Sequence, residues 1–132
     1  MGVRFLLDTH VVLWLLGEPT TVPAGIQDEL ADPASDLLVS AVSAMEVATK
    51  VRLGKLGAAR PLVTTWAARV AEIGADPLSL STSAALLAGS LDWAQRDPFD
   101  RLLVAQAIDE NLVLVTTDAA IRALGGLRTL GW

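Results

Sequence analysis

Val3-Arg4-Phe5-Leu6-Leu7-Asp8-Thr9 decides the fold. From Val3 to Leu7 the run is almost continuously apolar, as in a strand buried on both faces, and Asp8-Thr9 stops it. Val11 to Leu16 is too apolar to alternate and breaks at Gly17-Glu18-Pro19, so a short buried helix capped by Asp8 or Thr9 is expected there. The unit recurs outward along the chain. Residues 22–31 read as a short helix, Leu37 to Ser40 as a strand, and Ala41 to Leu53 as a helix stopped by Gly54. Pro61 to Ile73 reads as an amphipathic helix ended by Gly74, and Leu78 to Leu80 as a weak third strand. Ser81 or Thr82 can cap a helix running to about Ala88. After a loop over 92–99, Asp100 opens a helix through Ile108. Leu112 to Val115 is the most strand-like segment, Thr117-Asp118 caps a short helix to Leu124, and a terminal strand lies near Leu127 to Leu130.

Strands alternating with helices imply right-handed crossovers and an α/β fold, a mostly parallel sheet with helices on both faces. At 132 residues one domain over 1–132 is expected, without a repeat or linker. Apolar residues make up 52% of the chain and aromatics only 5%, so Leu, Val, Ile and Ala must build the core. No cysteine is present, which removes disulfides, thiolate metal sites and cysteine nucleophiles. The opening apolar run is too short for a signal peptide, and no stretch approaches the roughly 18 apolar residues of a membrane span, so the expected address is the cytoplasm. A net charge of −5 has the wrong sign for a broad basic nucleic-acid surface. Setting four carboxylates aside as metal ligands leaves about −1, and bound divalent cations would make that locality positive.

In parallel sheets ligands collect at the carboxyl ends of strands, where Asp8 and Asp118 stand. Singly, Asp8, Asp100 and Asp118 each read as a helix N-cap, and Asp97 more so, because Pro98 suits the first helical position. Glu46 differs: it lies mid-helix, where no cap is needed, about one turn beyond the strand Leu37 to Ser40. It is either a solvated helix residue or a carboxylate turned back toward the same sheet edge. Acids gathered there persist only if cations or protons neutralise them, and an all-oxygen set selects Mg²⁺ or Mn²⁺. Such a site suits hydrolysis of a phosphodiester by metal-activated water. Thr9, Ser43, Thr116 and Thr117 are candidate donors to the carboxylates, and His10 reads as packing or capping. There is no glycine-rich loop ending in Lys-Ser/Thr, no second Asp two places after Asp8, and no acid pair at the first strand, which excludes P-loop, dehalogenase-type phosphatase and receiver chemistry.

Four stretches carry a resemblance: Leu6-Leu7-Asp8-Thr9-His10; Ser43-Ala44-Met45-Glu46-Val47 with Lys50-Val51-Arg52-Leu53-Gly54-Lys55-Leu56; Arg96-Asp97-Pro98-Phe99-Asp100-Arg101-Leu102-Leu103; and Leu114-Val115-Thr116-Thr117-Asp118. In this order the sequence resembles the PIN-domain ribonucleases, specifically the VapC-type toxins of toxin-antitoxin pairs. The resemblance implies a three-layer α/β/α fold and a Mg²⁺- or Mn²⁺-dependent endoribonuclease. It makes Asp8, Glu46 and Asp100 the principal ligands and Asp118 a fourth acid, with Asp97 of unassigned role. It also implies a homodimer and a VapB-type antitoxin whose tail can place an Arg at the acids. Trp14, Trp66, Trp93 and Trp132 are either core or partner surface. Lys50, Arg52, Lys55, Arg96 and Arg101 flank the motif acids as RNA-backbone candidates. One departure is Gln95, where related sequences often carry His. The alternatives are a PIN-like binding module without cleavage and a DNA-directed metal nuclease.

Overall fold

A computed structural model describes residues 2–132. Its strands are β1 (Arg4–Leu7), β2 (Asp36–Ser40), β3 (Ala75–Leu78), β4 (Val113–Val115) and β5 (Thr129–Leu130). The helices are α1 (Thr9–Gly17), α2 (Ala24–Leu30), α3 (Ala41–Arg52), α4 (Leu62–Glu72), α5 (Thr82–Ser90), α6 (Pro98–Asp109) and α7 (Ala119–Arg122). All strand pairs are parallel, in the order β3-β2-β1-β4-β5.

Alternation along the strands makes the layers. Phe5, Leu7, Leu37, Val39 and Val115 face one side, where Val11 and Val12 of α1, Leu30 of α2 and Val70 of α4 cover them. Leu6, Leu38 and Leu114 face the other, against Val42 of α3, Leu103, Val104 and Ala107 of α6, and Ile121 of α7. The result is the three-layer α/β/α arrangement. Because β1, β2 and β4 are clothed on both faces, their sequences read as unbroken apolar runs. From β1 the chain steps outward to β2 and β3 on one side, then returns to β4 and β5 on the other. The gap between the carboxyl ends of β1 and β4 is therefore the switch point of the sheet.

Two expectations are corrected. The third strand runs from Ala75 to Leu78, not from Leu78 to Leu80, and pairs Leu37 with Ala75 and Ser40 with Leu78. It is an edge strand, where Pro77 can lack an N–H without breaking an inner ladder; Leu80 instead lies exposed in the turn to α5. The other concerns α6, which begins at Pro98 and is capped by Asp97, so Asp100 sits in its first turn and is not its cap. The other caps follow expectation: Asp8 for α1, Ser81 for α5 and Asp118 for α7. At the end of α3, Gly54 takes φ 76°, a left-handed conformation that a side chain would strain.

Candidate metal centre

The α1 cap puts the Asp8 carboxylate at the switch point, 7% exposed. Its Oδ1 accepts from the Thr9 backbone N–H at 2.7 Å, and its Oδ2 accepts from the Thr116 hydroxyl at 2.7 Å. Burial pushes the Asp8 carboxyl above its ordinary pKa and Glu46 adds to the rise, while the hydrogen bonds from Thr116 and Thr9 and the charge of His10 oppose it.

Glu46 reaches the same place from α3, which leaves β2 without a loop and touches helices on both sides of the sheet, α1, α4 and α6. It is 4% exposed, so it is no solvated helix residue. The Thr9 hydroxyl donates to its Oε1 at 2.7 Å, and Lys50, one turn on, places Nζ 2.6 Å from Oε2. With the Thr9 proton committed to Glu46, the buried Ser43 hydroxyl donates to Thr9 Oγ1 at 2.9 Å. Thr9 therefore ties the two carboxylates together, through its amide to one and its hydroxyl to the other. For Lys50, burial alone would lower the pKa, but the hydrogen bond and charge of Glu46, with Asp97 and Asp100, outweigh it and raise it.

Asp97, Asp100 and Asp118 complete the rim. Asp97 accepts from Phe99 N–H at 2.9 Å as the cap of α6; Asp118 Oδ1 accepts from Ala120 and Ile121 N–H at 2.9 and 3.2 Å. The five acids line one cleft of about 370 Å³, with Lys50 the one lysine or arginine among the described lining residues. Asp100 bears the cost: burial first, then the charges of Asp97, Asp8, Asp118 and Glu46, raise its pKa to about 7. A larger shallow groove of about 430 Å³ lies elsewhere, against Leu112 and Leu127, and has no acid in its lining.

The donor set suits a hard divalent cation: carboxylate oxygens only, mutually repelling, with one ammonium standing where positive charge is wanted. Among the described residues, however, no three acids already form an ion cage. Asp8 and Glu46 are held by Thr9, Thr116 and Lys50. Closure onto an ion would fall to Asp100, whose carboxylate accepts no side-chain or backbone hydrogen bond among the described residues, and to the second oxygen of Asp118.

The threonine expectation divides. Thr116 holds Asp8, and its Oγ1 also accepts from Asp118 N–H at 3.0 Å, whereas Thr117 lines the cleft without such a bond. Arg101 is a correction: its guanidinium donates to the carbonyls of Ala88, Leu91, Trp93 and Gln95 at 2.7–2.9 Å, binding the α5–α6 connection, and is not free for RNA. Arg52, Lys55 and Arg96 are exposed and lie outside the cleft lining. The Gln95 Oε1 accepts from Arg96 and Asp97 N–H at 3.0 and 3.3 Å, shaping the turn that presents Asp97. His10, read as packing or capping, and Trp14, read as core or partner surface, both line the cleft. Their spacing of four on one helix was the available signal.

A parallel three-layer fold with clustered carboxylates at its switch point defines a class of acidic-site α/β proteins. Within it the chain belongs to the PIN domain family, whose model matches residues 5–127. It is 33% identical over 122 residues to Ribonuclease VapC22 of Mycobacterium tuberculosis, covering 89% of each chain. Its fold is similar to VapBC2 from Rickettsia felis, solved with a promoter DNA fragment (TM-score 0.71, 16% identity, 98% and 99% of the two chains). It is also similar to VapBC-1 from nontypeable Haemophilus influenzae (TM-score 0.69, 17% identity, 98% of each).

Proposed function

We propose that the protein is a Mg²⁺- or Mn²⁺-dependent endoribonuclease, the toxin of a toxin-antitoxin pair. The observation that carries the metal reading is the cleft itself, where five acids meet one lysine among the described lining residues and Asp100 is pushed up to about pKa 7. The RNA reading rests on family membership and on the ribonuclease relative. The partner reading, a VapB-type antitoxin, draws on the VapBC complexes that share the fold; the homodimer rests on family membership alone.

Asp8, Glu46 and Asp100 would hold the ion, with Asp118 beside them. When bound there, a divalent ion would acidify water as the nucleophile and shield the charge of the phosphodiester. Thr9, Ser43 and Thr116 orient the Asp8 and Glu46 carboxylates and keep them from turning away. Lys50 stands within the cleft as a cation for a phosphate oxygen.

Asp8→Asn and Asp100→Asn should fold normally and lose metal-dependent cleavage of total RNA. Full cleavage by both variants overturns the metal role. Wild-type protein that binds Mn²⁺ yet leaves RNA intact supports the non-cleaving binding module instead.

A further inference from the structure

We infer that the RNA backbone leaves the acid cleft over the carboxyl end of α3, held by Arg52, Lys55 and Arg60; this rests on the RNA reading and adds the route of the strand. Charge is spread unevenly along the chain. Residues 47–71 hold five of the ten lysines and arginines and not one acid, while all fifteen acids lie outside that stretch. In a chain of net charge −5, a polyanion meets least repulsion there.

The stretch begins at the cleft. Lys50 lines it, resting on Glu46. Beyond Lys50, α3 closes in a paired turn: Gly54 N–H donates to Val51 O at 3.0 Å and Lys55 N–H to Lys50 O at 2.8 Å. Lys55 is thereby folded back beside the backbone of the cleft lysine. A short 3₁₀ turn, Gly57–Ala59, also touches α3, and Arg60 follows it, donating its N–H to Gly57 O at 3.2 Å. From Glu46 to Arg52 the helix covers about 9 Å, or two to three nucleotides at about 3.4 Å each.

The side chains are available. Arg52, Lys55 and Arg60 are exposed, and none makes an ion pair or side-chain hydrogen bond among the described residues. Arg69, the fifth base, is held by Glu72 and the Leu16 carbonyl and takes no part. Arg96 is exposed too, but Asp92, Asp97 and Asp100 lie within four places of it along the chain and offset its field. Partnerless cations running on from a phosphodiester cleft suit backbone contact, which fixes position without reading sequence. Leu53 and Val63, exposed in the same stretch, are the footing an acidic protein would use instead.

The test uses the Asp100→Asn protein in Mg²⁺, so that RNA stays intact. A labelled oligouridylate is titrated by fluorescence anisotropy over a range of NaCl concentrations, with an oligoglutamate peptide as the second ligand. Arg52→Gln/Lys55→Gln/Arg60→Gln should melt with the parent, weaken RNA binding about tenfold at low salt, and lower the slope of log affinity against log salt by about 2. Lys55→Gln and Arg60→Gln singly should each lower it by about 0.7. Arg4→Gln removes the same charge at the opposite edge of the sheet and should leave the slope unchanged. A triple variant with the parent's slope overturns the route, as does an Arg4→Gln loss equal to that of Lys55→Gln. Loss of oligoglutamate binding with the RNA slope intact assigns the face to an acidic protein and overturns it as well. If the parent binds no RNA at any salt, the RNA reading itself falls.

Discussion

Replacing Asp100 with Asn should stabilise the metal-free protein, and only where the aspartate would be ionised. Its pKa rises from an ordinary 3.8 to about 7 in the fold, through burial first and then through Asp97, Asp8, Asp118 and Glu46. Between those values the folded state keeps a proton that the unfolded chain has released. Stability therefore falls as pH rises from about 4 to 7 and levels off above, the reverse of a salt-bridged aspartate. Taken whole, the shift corresponds to about 4 kcal/mol. Asp100 is only partly buried, so solvent screening reduces this to about 1–2 kcal/mol. A negative charge in the first turn of α6 also gains about 0.3–1 kcal/mol from the helix dipole, which Asn forfeits. The net gain at pH 8 is then about 1 kcal/mol, or roughly 3–5 °C in Tm for a chain of this size.

Scanning calorimetry in chelator, at pH 4 and pH 8, measures it. The variant should melt higher than wild type at pH 8 and together with it at pH 4. Mn²⁺ should raise the wild-type Tm at pH 8 and add much less to the variant. A variant that is no more stable at pH 8, or equally more stable at both pH values, would refute this account of a buried, crowded Asp100 charge.

Two other outcomes test the surroundings of the site. Lys50→Met removes the cation resting on Glu46 and should tighten Mn²⁺ binding about tenfold by titration calorimetry, while Lys50→Arg should stay near wild type. Arg101→Lys cannot serve four carbonyls from one planar fork, so it should lower stability by about 2–3 kcal/mol in urea melts, with no change in the salt dependence of RNA binding.

The readable parts of the fold and the hidden ones differ for physical reasons. Strands β1, β2 and β4 announce themselves because burial on both faces demands unbroken apolar runs. The edge strand β3 does not, since Asp76 and Pro77 are tolerated where one side is unpaired, and the nearby apolar residues at 78–80 suggest a later start. Arg101 carries the same letter whether it meets phosphate or staples carbonyls; only the path of the α5–α6 connection distinguishes the two. Thr116 and Thr117 are equally plausible in sequence, and the orientation at the end of β4 selects Thr116 for Asp8.

The acids show how far single-residue reading reaches. Asp8 and Asp118 cap helices, as their positions suggest, but each does so through one oxygen. The other is left to Thr116 in Asp8 and free of protein donors among the described residues in Asp118. Capping and ion binding are therefore not rival explanations at those positions. At α6 the two tasks are divided between residues: Asp97 caps, with Pro98 behind it, and Asp100, three places on, is spared. A carboxylate that accepts no hydrogen bond among the described residues, raised to about pKa 7 by burial and by its neighbours, costs the fold more than its helix-dipole interaction returns. That surplus of charge, more than the number of acids, is the feature that the proposed metal role uses and that helix capping leaves unexplained.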